Sequence, residues 1–157
     1  MILTTHAVVG ATTYGLLQDN PVLASAAAFS SHYVLDYFPH WEYETDPRKT
    51  KDKKIIIVLK ILIDLAIAFT LVSILAFYVF PTSPKNFAMV LTGAFFGLLP
   101  DGFQLLYMLR FRHKTISWTQ RVHDFFHSED ESLKRSVRAM VTQVVIVLVC
   151  IAIIYMI

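Results

Sequence analysis

Long apolar runs separated by short polar stretches dominate the pattern along this chain. Three of them are long enough to cross a bilayer as helices, which takes about 20 residues: Ile55–Phe80, Ala88–Leu109 and Ala139–Ile157. Two shorter apolar segments, Leu3–Leu17 and Pro21–Phe38, come before them, with a polar turn between the two. The pattern predicts an all-α polytopic membrane protein with about five transmembrane helices, the first short enough to be tilted or re-entrant.

Individual residues sharpen these boundaries. Asn20 followed by Pro21 is typical of an N-cap and the first position of a helix. A short amphipathic segment, Trp118 to His127, predicts an additional helix at the membrane interface. Gly93 and Gly97 form a GxxxG pair, which favours close packing between helices.

Composition supports the membrane and excludes several functions. The 157 residues predict a single domain over 1–157, and 55% hydrophobic residues are too many for an ordinary soluble domain. A net charge of +2 gives no reason to expect a nucleic-acid partner. Cys150 is the single cysteine, so neither an internal disulfide nor a thiolate metal cluster is available.

The basic residues predict the orientation of the chain in the membrane. The loop Glu42–Lys54 carries five lysines and arginines, Pro81–Phe87 carries one, and Arg110–Arg138 carries seven. By the positive-inside rule the first and third of these segments are cytoplasmic and the second lies outside. This orientation places the N-terminus in the cytoplasm.

The stretch Ser31–Trp41, SHYVLDYFPHW, carries the strongest candidate chemistry. It spaces His32, Asp36 and His40 four residues apart, so that His32 and Asp36 share one helix face. Imidazole and carboxylate are suitable ligands for zinc or a similar divalent metal. The alternative is a pair of interfacial histidines beside a helix-end carboxylate.

Three carboxylates fall inside apolar segments: Asp36, Asp64 and Asp101. Each costs about 2.5–3.5 kcal/mol to insert, so such residues usually mark function. Asp64 could instead form an ion pair with Lys60, four residues earlier on the same helix. Asp101 could instead hydrogen-bond to a backbone group that the preceding Pro100 leaves without its helical partner. The predicted topology puts all three carboxylates in the cytoplasmic leaflet, together with His6, His123 and His127.

Four motifs in order along the chain resemble a family of small bacterial integral membrane proteins. The family is described as membrane-bound metal-dependent hydrolases, related to the LexA-regulated inner-membrane hydrolases. The motifs are TTHAVVGA at 4–11, SHYVLDYFPHWEY at 31–43, LLPDGFQLLY at 98–107 and QRVHDFFH at 120–127. The resemblance implies a divalent-metal site whose ligands match His6, His32, Asp36, His40, Asp101, His123 and His127.

One departure from that family lies in the third and fourth motifs. The better-known branch has D-x-D-H and H-R-G-x-T-H-S, where this chain has Asp101-Gly-Phe-Gln104 and His123-Asp-Phe-Phe-His127. A weaker similarity links the H-x₃-D pattern and the paired histidines to zinc-dependent phospholipases C. We expect metal-dependent hydrolysis with one or two divalent ions, zinc preferred and manganese or magnesium as alternatives.

The expected activity is hydrolysis of a phosphoester in a membrane lipid or other amphiphile, at the bacterial inner membrane. Asp64, Gln104 and Arg121 are the candidates for assisting catalysis, with Arg121 neutralising a phosphate and Gln104 hydrogen-bonding water or substrate. His40 and Asp64 either bind the metal directly or orient the residues that do. Two other functions stay open: a small cation or proton transporter, and a non-catalytic metal- or haem-binding protein. A homo-oligomer is compatible with all three functions.

Overall fold

The computed structural model describes residues 2–38, 40–41, 54–79, 84–108, 111, 113–126 and 136–156. Within these ranges the chain forms six helices and no strand, so the predicted all-α class is confirmed. The helices are α1 Leu3–Leu16, α2 Pro21–Tyr37, α3 Lys54–Val79, α4 Pro84–Met108, α5 Lys114–Phe126 and α6 Val137–Met156.

The start of α2 follows the local sequence rule closely. Asn20 is the N-cap, and its Oδ1 accepts a hydrogen bond from the backbone N–H of Leu23 at 3.1 Å. Pro21 is the first helical residue, where its missing N–H costs nothing. Both predictions for this boundary are confirmed.

Within the described residues, three helices are long and apolar enough to span a membrane, fewer than the predicted five. The candidate spans are Ile55–Phe77, Phe87–Tyr107 and Val137–Met156. Helix α1 has 14 residues and α2 has 17, so at 1.5 Å per residue they reach only about 21 and 26 Å. Both fall short of the about 20 residues that cross a bilayer core, and a helix this short can be enclosed by protein instead of facing lipid.

Helix α1 is such an enclosed helix. It packs against α2, α3, α4 and α6, and eight of its residues are buried. Helix α6, by contrast, has mostly exposed apolar side chains, as expected of a lipid-facing span. The short central helix therefore carries its polar residues inside a ring of longer helices.

Glycines let α1 approach α4 closely. A Cβ added to Gly97 would lie 2.5 Å from the His6 carbonyl oxygen, and one added to Gly93 would lie 2.5 Å from Cβ of Tyr14. Gly10 faces both of them from α1. The predicted role of Gly93 and Gly97 in close helix packing is confirmed, and it fixes His6 against α4.

Helix α5 has two contrasting faces. Thr119 and His123 are buried, whereas Trp118 is 59% exposed and Phe125 is 82% exposed. The helix begins at Lys114, four residues before the predicted start, and the predicted end at His127 lies outside the described residues. It packs against α4 and α2, which brings His123 to the end of the bundle where α2 also ends.

Candidate metal centre

The carboxylate of Asp36 lies at the centre of a buried group of histidines. Asp36 and His32 are on the same face of α2, one turn apart, and His32 Nε2 lies 3.0 Å from Asp36 Oδ2. His6, from α1, places its Nε2 3.2 Å from the other oxygen, Oδ1. All three side chains are at most 1% exposed. One ligand atom from each lies within 4.8 Å of the others, which is close enough to hold a metal ion.

Three more of the predicted residues contact this group. His123 Nδ1, from α5, lies 3.4 Å from Asp36 Oδ2, and His40 Nε2 lies 4.0 Å from Asp36 Oδ1. Asp101, from α4, places its Oδ1 3.7 Å from His32 Nε2. Residues from four helices and from the segment after α2 thus converge.

Backbone carbonyls orient two of the imidazoles. His32 Nδ1 lies 3.0 Å from the Gly97 carbonyl oxygen, and His40 Nδ1 lies 2.8 Å from the Phe38 carbonyl oxygen. Because a carbonyl can only accept, both Nδ1 atoms carry the proton and donate it. In the neutral ring, the opposite nitrogen, Nε2, presents a lone pair towards Asp36. Metal-binding histidines are held in this way by a second partner.

The spacing of these atoms is compatible with a bound metal ion. His6 Nε2 and His32 Nε2 are buried and make no aligned hydrogen bond within the described residues, although each lies close to an Asp36 oxygen. Ligands about 2.0–2.2 Å from a tetrahedral zinc are themselves about 3.3–3.6 Å apart. The observed separations of 3.0–3.7 Å around Asp36 and His32 bracket that range. A donor set rich in imidazole suits zinc and disfavours magnesium.

The buried carboxylate of Asp36 requires positive charge nearby, from protonated imidazoles or from a cation. A carboxylate buried as fully as Asp36 costs several kcal/mol unless positive charge compensates it. The imidazoles around it supply positive charge only by taking up protons, and the two carbonyl-bound rings then have no lone pair for a metal. A divalent cation compensates the carboxylate while the imidazoles stay neutral.

Asp64 holds the start of α1. Its Oδ2 accepts from the Leu3 N–H at 2.8 Å, and its Oδ1 accepts from the Thr4 N–H at 3.2 Å and the Thr4 hydroxyl at 2.6 Å. The residue in the N-cap position, Ile2, has no side chain that could do this. Asp64, from α3, therefore acts as the N-cap of α1. One of the residues that it bonds, Thr4, is two residues before His6.

Gln143 was missed by the sequence reasoning. Buried in α6, it accepts from the Ile2 N–H and the Thr5 hydroxyl through Oε1, both at 3.3 Å, and donates from Nε2 to the Trp41 carbonyl at 2.8 Å. It thereby ties the start of α1 to the segment that carries His40. The available signal was that Gln143 is the single amide side chain in the apolar run Ala139–Ile157.

The remaining predicted residues lie at the edge of the group or outside it. Gln104 is half-buried on α4, one turn after Asp101, and Arg121 is exposed on α5. His113, between Arg112 and Lys114 in the sequence, is exposed. His127 lies outside the described residues, so its predicted role stays a prediction.

An open cleft of about 380 Å³ lies along α5. Its walls include Trp118, Arg121, Val122, Phe125 and Phe126. The Phe126 ring lies 5.6 Å from that of Tyr33, and the Tyr33 ring lies 5.4 Å edge-on to that of His32. One aromatic side chain thus separates the cleft wall from the histidines.

Comparison of the chain with models of known protein families, with curated proteins and with solved structures found no match.

Proposed function

We propose that this protein is a membrane-embedded, metal-dependent hydrolase that acts on a phosphoester of a lipid or another amphiphile. The observation that carries the proposal is the convergence of His6, His32 and His123, from three helices, on the buried carboxylate of Asp36. The motif resemblance to the membrane-bound hydrolases supports the same assignment.

The chain supplies the ligands and their orientation. The Gly97 and Phe38 carbonyls hold two imidazoles with Nε2 directed at Asp36. Asp101 is 20% exposed at its side chain, so the group is open to solvent on that side. A divalent ion, when bound, polarises a phosphoryl or acyl oxygen and activates water at neutral pH. Gln104, one turn from Asp101, is available to hydrogen-bond that water or the substrate.

The cleft on α5 supports an amphiphilic substrate. Its aromatic walls suit an acyl or prenyl chain, and the Arg121 guanidinium suits a phosphate, which it can bind through two hydrogen bonds. Arg121 and His123 are two residues apart on one helix, so they point to opposite sides of it.

The location follows from the charge pattern. The group lies near the start of α1, the end of α2 and the last turn of α5, and the loops that follow α2 and α4 in the sequence carry most of the lysines and arginines. We therefore assign the site to the cytoplasmic leaflet of a bacterial inner membrane, with the N-terminus in the cytoplasm.

Hydrolysis by detergent-purified, zinc-loaded protein tests the proposal. We expect phosphate release from phosphatidate in mixed micelles, its loss with EDTA and its recovery with zinc. His32→Gln should abolish release, whereas His113→Gln, which changes an exposed histidine, should not. Arg121→Gln should raise KM for phosphatidate more than it lowers kcat. Phosphate release that is indifferent to EDTA and to His32→Gln would contradict the assignment.

A further inference from the structure

The two oxygens of Asp36 serve separate sets of histidines. Oδ1 lies 3.2 Å from His6 Nε2 and 4.0 Å from His40 Nε2. Oδ2 lies 3.0 Å from His32 Nε2 and 3.4 Å from His123 Nδ1. Two imidazole nitrogens thus contact each oxygen. A carboxylate that holds a single ion through one oxygen would not need this division.

The stacked rings of His6 and His32 argue against one shared ion. Their centroids are 3.9 Å apart and their planes differ by 24°. An imidazole binds a metal in its own ring plane, along the nitrogen lone pair. Two planes with this separation and tilt meet only roughly 8–9 Å away, far beyond a zinc–nitrogen bond of about 2.0 Å. Each ring therefore directs its lone pair to a different point, one beside each oxygen of Asp36.

Asp101 completes the set on the Oδ2 side. Its Oδ1 lies 3.7 Å from His32 Nε2, a separation close to that of two ligands on one ion. Its Oδ2 is buried and has no hydrogen-bond partner within the described residues. The carboxylate thus faces the same point as His32 and adds a negative charge that a second cation would compensate.

We propose that Asp36 bridges two divalent metal ions, one on each of its oxygens. His6 and His40 complete the protein ligands of the first ion, while His32, His123 and Asp101 complete those of the second. The inference rests on the proposed metal-dependent function and deepens it. In paired-metal sites the two ions stabilise the attacking and leaving oxygens of a phosphoryl group on either side of one displacement.

Metal stoichiometry tests the bridge without reference to activity. Protein dialysed against a chelator is titrated with zinc by calorimetry, and the metal retained after gel filtration is measured by mass spectrometry. We expect two equivalents per chain. His6→Gln and His123→Gln, on opposite sides of Asp36, should each lose one equivalent and keep the other. His113→Gln should keep both. One equivalent in the wild type, abolished by either ligand variant, would overturn the proposal.

A measurement on the wild type covers the case in which a variant fails to fold. With manganese in place of zinc, a carboxylate-bridged pair shows magnetic exchange coupling in its electron paramagnetic resonance spectrum. A spectrum of isolated ions at saturating manganese would overturn the bridge. Two coupled ions without phosphate release from any ester would instead leave the bridge standing and refute hydrolysis.

Discussion

Replacing Gly97 by alanine tests whether the helix crossing sets the metal site. The new Cβ would lie 2.5 Å from the His6 carbonyl oxygen, where an ordinary contact is at least 3.4 Å. That oxygen belongs to a helix backbone and cannot rotate away. Helix α1 must therefore move from α4 by about 0.9 Å to restore van der Waals contact.

This movement has two measurable costs. Overpacking of this kind destabilises by about 1–3 kcal/mol, partly offset by about 1 kcal/mol from the better helix propensity of alanine. We expect a net loss of up to about 2 kcal/mol, which lowers the Tm by up to about 8 °C. His6 moves with α1, and the Gly97 carbonyl that orients His32 is strained, so zinc affinity should fall about 10–100-fold.

Gly102 provides the matched control, since it lies on the same helix and a Cβ there would meet nothing within 4 Å. Gly102→Ala should leave zinc affinity unchanged and raise stability by up to about 1 kcal/mol through helix propensity. Thermal unfolding in detergent and zinc titration measure both variants. Equal Tm and equal zinc affinity for Gly97→Ala and Gly102→Ala would refute the link between the glycine crossing and the site.

Three further predictions concern the supports of the site and its orientation. Asp64→Leu removes the cap of α1 and should cost about 1–2 kcal/mol in thermal unfolding, with Asp64→Asn losing less; equal losses would contradict capping. Gln143→Leu should cost about 1–3 kcal/mol by leaving buried backbone groups without a hydrogen bond, and should weaken zinc binding; wild-type values for both would contradict its bridging role. Reporter fusions at Lys51 and Lys114 should read cytoplasmic and one at Ser83 external, and an external signal from Lys114 would reverse the orientation.

The sequence alone predicted the helices and most of the residues that surround Asp36. Asn20-Pro21 marked the start of α2, because capping depends on neighbouring residues only. His32 and Asp36 shared a face because four residues make about one helical turn, and the structure brings them within 3.0 Å. His6 and His123 were found through their depth in the predicted topology, and both contact Asp36.

Only the tertiary structure decided how these residues work together. The role of Asp64 depends on Thr4, 60 residues away, and that of Gln143 on Trp41, 102 residues away, so no local pattern could reveal either. The enclosure of α1 is also decided by the tertiary structure. A helix surrounded by other helices does not need to be as long as the bilayer core is thick. The division of the histidines between the two Asp36 oxygens depends on where four helices cross, and those crossings are set by contacts such as Gly97 against His6.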